Sequence, residues 1–95
     1  MTSRDKSLTV RVEIELRVLP RFRVMDYLEQ VGGVPTESLS VRGDGWHASI
    51  EALEPEAVGR ARVPRDLLVI EGQEAAVARV ASFMRRKVQQ MRRGR

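Results

Sequence analysis

Leu8, Val10, Val12, Ile14, Leu16 and Val18 alternate strictly with Thr9, Arg11, Glu13, Glu15 and Arg17 over eleven residues. A period of two over that length specifies a long strand with one buried and one wet face. Alternation this clean belongs to an antiparallel sheet covered on one side only, because strands buried on both faces read as continuous apolar runs. The rest of the chain must therefore supply further strands and one layer to cover the apolar side.

The cover is legible near the other end. Leu67 to Ile70 is a short, branched apolar run stopped by Gly72, which predicts a strand. Beyond it Val77, Val80, Ala81, Met84, Val88 and Met91 recur at spacings of three and four and line one face of a long helix. Arg79, Arg86 and Gln90 occupy the opposite face, with Arg85, Lys87 and Gln89 on the flanks.

Between these landmarks the chain reads in short pieces. Pro20 suits a first helical turn, and Phe22, Met25, Leu28 and Val31 follow at spacings of three until Gly32-Gly33 ends the helix. Leu39 and Val41 alternate with polar neighbours, Gly43-Asp44-Gly45 makes a tight turn, and Trp46, Ala48, Ile50 and Ala52 resume the alternation. That is a β-hairpin. Glu54-Pro55-Glu56 reads as its end. A fourth strand over Arg60 to Pro64 is expected either to be short or to lie at an edge, since Pro64 cannot donate to a ladder.

The expected fold class is α+β: a curved antiparallel sheet in the order β-α-β-β-β-β-α gripping the C-terminal helix. Residues 1–7 read as a loose N-terminus, 8–91 as a single domain and 92–95 as a basic tail. The wet face would carry Thr9, Arg11, Glu13, Glu15, Arg17, Ser38, Ser40, Arg42, His47, Ser49, Glu51, Arg60 and Arg62. Leu67 and Val69 fall on that face too, which points to a partner or a homodimer contact there.

Composition narrows the function classes. A chain of 95 residues buries one modest core and has no cleft between domains. No apolar run approaches the roughly 20 residues of a membrane span, and Met1 to Ser7 lacks the apolar segment of a secretory signal, so a cytoplasmic protein of bacterial type is expected. The absence of cysteine excludes disulfides, thiolate metal sites and a cysteine nucleophile. Arginine outnumbers lysine 15 to 2 and asparagine is absent, as in heat-adapted proteins or those of GC-rich genomes. The net charge of +4 is local: Arg79 to Arg95 contains seven basic residues and no acidic one.

Particular strings carry a family resemblance. Asp26-Tyr27-Leu28-Glu29 before Gly32-Gly33, then Val58-Gly59, Val63-Pro64, and Val69 leading to Glu71-Gly72 with Glu74-Ala75 beyond, resemble a small group of bacterial domains. It is the domain of unknown function appended to the C-terminal side of proteins related to MoaD, the sulfur-carrier subunit of molybdopterin synthase. The likeness runs from about Pro20 to Val88 and rests on turn and cap residues. It implies a fold resembling the TATA-binding protein and an association with molybdenum-cofactor or sulfur-carrier metabolism, and it brings no catalytic residues. Seven residues before the first strand leave no room for the carrier domain, and the chain ends Met91-Arg92-Arg93-Gly94-Arg95 rather than in the Gly-Gly a thiocarboxylate needs. Sulfur transfer is therefore not expected.

Chemistry is sparse. His47 is the single histidine, and Glu51, the nearest same-face carboxylate along its strand, lies about 13 Å away by strand rise. A solvent-facing strand histidine is the expectation rather than a general base. One histidine and scattered carboxylates offer no metal-ligand spacing, and no cofactor is implied. Ser38, Ser40 and Ser49 sit in no nucleophile elbow. Trp46 begins a strand on its apolar face and reads as a core anchor. Met25, Met84 and Met91 could line a small cavity between sheet and helix.

The basic end carries the real alternatives. Arg79, Arg85, Arg86, Lys87, Arg92, Arg93 and Arg95 satisfy the helix dipole as a solvated end. They would also serve phosphates of a nucleic acid, or an acidic protein or anionic ligand. A DNA-binding sheet of the namesake fold uses inserted aromatics, and here there are four aromatics, at least three of them expected in the core. The reading is a non-catalytic accessory or interaction module, not an enzyme, with a protein partner or self-association. A nucleic-acid-binding module led by the basic helix is the alternative.

Overall fold

A computed structural model describes residues 9–93. Its elements are β1 (Thr9–Arg17), α1 (Arg21–Gln30), β2 (Val34–Glu37), β3 (Ser40–Gly43), β4 (Trp46–Val58), β5 (Ala61–Gln73) and α2 (Glu74–Arg93). The expected α+β class holds: one five-stranded antiparallel sheet, in the order β1-β5-β4-β3-β2, is covered on one face by the C-terminal helix. Leu8, the loose N-terminus and Arg95 lie outside the described residues.

The alternation in β1 does what its period requires. Val12, Ile14 and Leu16 stand opposite Ile70, Leu68 and Asp66 of β5, and that row continues into Ala48, Ile50 and Ala52 of β4. Onto this face α2 lays Ala76, Val77, Val80, Ala81, Met84 and Val88, all buried. Leu16, Leu28, Leu68, Ile70 and Met84 have no exposure at all; each such side chain contributes about 1.5–3 kcal/mol through burial. Glu74 in the first turn and Arg92 and Arg93 in the last complement the helix dipole. Arg92 and Arg93 thus belong to the helix and not to a tail.

Three expectations about the strands are corrected. The strand starting at Trp46 does not end at Glu54-Pro55-Glu56 but continues to Val58 through a bulge, with a register shift between Leu53 and Glu56. The expected fourth and fifth strands are one strand of 13 residues, β5, lying between β1 and β4. Pro64 is tolerated there because its backbone turns toward β1, which ends at Arg17: its carbonyl accepts the Val18 N–H, and the chain leaves the sheet at Val18, so no ladder partner claims the missing N–H. Finally β2, over Val-Pro-Thr-Glu, carries no alternation and is exposed throughout. Its pairing with β3 defines it, not its own pattern.

Other departures have local causes. Val18, expected on the buried face, is 64% exposed and has φ 58, because the chain leaves the sheet there in a left-handed bend. A β-branched residue in that region is strained. Phe22 is 68% exposed, while Val24 and Leu28 face the core from α1. Spacings of three fall about 60° short of a full turn each time, so Phe22 and Leu28 do not share a helix face. Only Trp46 among the aromatics is buried. Tyr27 and Phe83, half-buried, meet edge to face at 6.3 Å, with the Lys87 ammonium 5.3 Å from the Tyr27 ring and 5.4 Å from the Phe83 ring.

Two glycines make room for Trp46. A Cβ on Gly43 would stand 2.2 Å from its indole, and one on Gly72, at φ 145, would stand 2.2 Å from the Gly45 carbonyl oxygen. Asp66 is the one buried charged side chain of the described residues. Arg21 donates to both its oxygens, at 2.7 and 3.0 Å, which ties the first turn of α1 to β5. This bidentate bond raises the Arg21 pKa further above its ordinary value.

Candidate functional site: an arginine-lined groove at the sheet edge

In an antiparallel ladder only alternate residues turn their N–H and C=O toward the partner. The Val18 N–H donates to the Pro64 carbonyl at 3.3 Å, which sets the phase of the β1–β5 pairing. Val10, Val12, Ile14 and Leu16 consequently bond to β5, whereas Thr9, Arg11, Glu13, Glu15 and Arg17 turn their backbone groups away from it. Since β1 is an edge of the sheet, those groups face outward.

Beside the C-terminal half of this edge runs α2, and the two enclose a groove of about 600 Å³. Ile14 and Val88 give it apolar surface, Gln89 lines it, and Arg17, Arg85 and Arg92 supply its charge. Glu15 also lines it, but its carboxylate is held on the sheet face by Arg65 at 2.8 Å. That bond, ahead of the fields of Arg65, Arg17 and Arg92, holds the Glu15 carboxyl below the usual range. One edge group is already capped: the Arg92 guanidinium donates to the Glu15 carbonyl at 3.1 Å. The site can thus offer cations and unpaired backbone groups side by side.

The cations expected along the last helix do not form a single surface. Arg85 and Arg92 flank the groove. Lys87 sits on the other flank over Tyr27 and Phe83. By helical phase Arg79, Arg86 and Arg93 ride the ridge opposite the core, where Arg86 bonds the Ser82 hydroxyl at 3.2 Å.

The outer sheet face neutralises itself. Arg11 bonds Glu13 at 2.8 Å and Glu71 at 3.0 Å, Arg65 takes Glu15, and Arg17 pairs with Glu56. His47 stands 3.8 Å from Glu71 across the strands, a neighbour that spacing along one strand could not show. Val69 is only 3% exposed within this lattice, and Leu67 is half-buried. The expected apolar contact surface is therefore largely absent: Val69 is covered by the chain's own side chains. Arg62 does not share the wet face either, since the unbroken alternation of β5 puts it on the side of Asp66 and Leu68, and Arg60 lies in the turn.

The sequence pattern does not single out Arg17 as a groove residue or Asp66 as a buried carboxylate. Period two running back from Ile70 and Leu68 reaches Asp66, which was the available signal; nothing in the sequence signals that Arg17 meets Arg85 and Arg92.

The family profile described as archaeal MoaD-like protein matches residues 12–94. The chain belongs to the archaeal MoaD-like protein family. The match spans nearly the whole structure, from within β1 to the end of α2. No curated protein matches the chain. No helix among the described residues is long and apolar enough to cross a membrane.

Proposed function

We propose that this member of the archaeal MoaD-like family is a small, non-catalytic interaction module serving sulfur-carrier or molybdenum-cofactor metabolism, with its partner seated at the groove between β1 and α2. The observation that carries this reading is the contrast in charge between the two sides of β1: Arg11, Arg17 and Arg65 are taken by neighbouring glutamates, while Arg85 has no ion-pair partner among the described residues and Arg92 holds only a backbone carbonyl. Family membership supplies the metabolic setting, and the sheet gripping one helix accords with the TATA-binding-protein-like arrangement that the sequence resemblance implies. Gly32-Gly33 ends α1 between packed elements, where Gly32 has φ 101 and Gly33 is buried, so it is a turn rather than a reactive tail.

The test is affinity capture of the full chain from cells of its source, followed by identification of bound proteins. A sulfur-carrier or cofactor-synthesis protein that is recovered by the native chain, and lost when Arg17, Arg85 and Arg92 become glutamine, supports the reading. Recovery of nucleic acid alone, with no partner protein left once nuclease has removed it, overturns it. The dispersal of the α2 cations over three directions opposes nucleic acid, which needs a continuous positive track.

A further inference from the structure

The groove's chemistry specifies more than a cationic patch. We propose that it takes an extended acidic segment of a partner protein, added as a sixth strand along β1, with the segment's carboxylates bound by Arg85 and Arg92. This rests on the reading of the protein as a partner-binding module and names the class of segment bound.

The strand component follows from the ladder. Glu15 and Arg17 point their backbone groups out of the sheet into the groove, about 6.7 Å apart along the edge, the spacing at which alternate residues of an incoming strand pair. Exposed edges are the usual template for strand addition, where main-chain hydrogen bonds supply affinity and side-chain contacts supply selectivity.

The acidic component follows from the walls. Arg17, Arg85 and Arg92 surround the edge, and the one carboxylate lining the groove, Glu15, is turned away onto Arg65. Arg92 now caps the Glu15 carbonyl, a bond of an ionised donor to a neutral acceptor. An incoming carboxylate offers Arg92 a shorter, bidentate, charge-assisted contact and at the same time frees the Glu15 carbonyl for the new strand's N–H. A basic segment would meet the guanidiniums of Arg85 and Arg92, neither of which is paired with a carboxylate among the described residues.

The experiment uses the full chain and a fluorescein-labelled peptide of alternating Thr and Glu, about ten residues long to span the edge, with an alternating Thr and Lys peptide as control. Fluorescence anisotropy at low and moderate salt should show saturable binding of the acidic peptide alone. Arg85→Gln with Arg92→Gln should weaken it about tenfold or more, the scale of charge-assisted bonds. Glu15→Pro removes one outward N–H without touching the β1–β5 ladder and should abolish binding, while Glu15→Thr, which keeps that N–H, should retain it. Amide exchange on the native chain gives an independent readout: Glu15 and Arg17 N–H should become protected when the peptide is present.

Binding that survives Glu15→Pro with no new amide protection would show charge attraction without strand addition and overturn the proposal. So would equal binding of both peptides, displacement by duplex DNA at equal charge, or a doubled solution mass with no peptide bound. Failure of the peptide while Arg-dependent capture of a native partner persists would reject the acidic strand and leave the interaction module standing; failure of both would reject the module too.

Discussion

The two halves of the β4–β5 hairpin are built from the same two strands and live in different surroundings. In the near half, Trp46 to Ala52 pairs with Asp66 to Gly72, β3 and β1 flank the pair, and α2 covers it; Ala48, Leu68 and Ile70 have no exposure. In the far half, Glu56 to Val58 pairs with Ala61 to Val63 and with nothing else among the described residues, and Val58 is 51% exposed. The bulge at Glu54 and Pro55, facing Pro64, is the joint between them. The molecule is correspondingly long, 56 × 24 × 24 Å. The lesson is that backbone pairing can carry a ribbon past the point where burial stops. Because an isolated two-stranded ribbon is marginal in water, the far half depends on the near half for its order. Its base is tied by Arg17 to Glu56 and by Arg65 to the Glu54 carbonyl at 3.4 Å.

The largest effect expected from this contrast is in the near half. Leu68→Ala should cost about 2–5 kcal/mol in denaturant unfolding, as buried leucine truncations do, while Val63→Ala in the far half should cost less than about 1 kcal/mol. Equal costs would mean the far half is packed against something and would break the comparison.

Gly43→Ala should come next, at about 1–3 kcal/mol, since the added methyl overlaps the Trp46 ring. Trp46 is the single tryptophan, so its fluorescence maximum should shift red if the indole is expelled. An unchanged spectrum and stability would show that the row of Gly43, Trp46 and Gly72 has slack.

Asp66→Asn removes the charge that Arg21 grips and should cost about 1–2 kcal/mol, discounted for the exposed guanidinium. Native-state amide exchange should then sharpen the picture without any substitution. Far-half amides of β4 and β5 should exchange through local opening, well before those of Leu68 and Ile70, which should require global unfolding.

The smallest effect concerns acid. The Glu15 carboxyl is held below its ordinary value of 4.5, chiefly by the hydrogen bond from Arg65. A depressed folded-state pKa means the pair stabilises fully above the ordinary carboxylate value and ceases to do so as pH falls through the lower, folded-state value. The stability gap between the native chain and Arg65→Gln should therefore be present at neutral pH and close over that acid window. A gap independent of pH would assign the effect of Arg65 to packing.

Much of the near half was legible. The alternation of Val10 to Leu16, the Asp44-Gly45 turn before Trp46, the run from Leu67 to Ile70 and the face of α2 each state their own role, because burial on one side leaves a period in the sequence. The far half left no such trace. With no core beneath it, Glu54-Pro55-Glu56 and Pro64 look like stops, and only the sheet pairing shows what tolerates them: a bulge takes up Glu54 and Pro55, and Pro64 turns its missing N–H toward the place where β1 has ended. β2 was invisible for the same reason.

The groove divides in the same way. Arg85 and Arg92 were evident as one flank of a basic helix, and Glu15 and Arg17 as wet-face residues of a strand. That the strand is an edge, that its odd-numbered residues face outward, and that the helix flank lies along it were settled by the order β1-β5-β4-β3-β2. What the sequence alone determined is which side of each element avoids water, since that is a property of residue spacing. Which elements become neighbours was decided only in the tertiary structure, because pairing partners, the free edge and the loss of Val69 to its own neighbours depend on contacts between residues far apart in the chain.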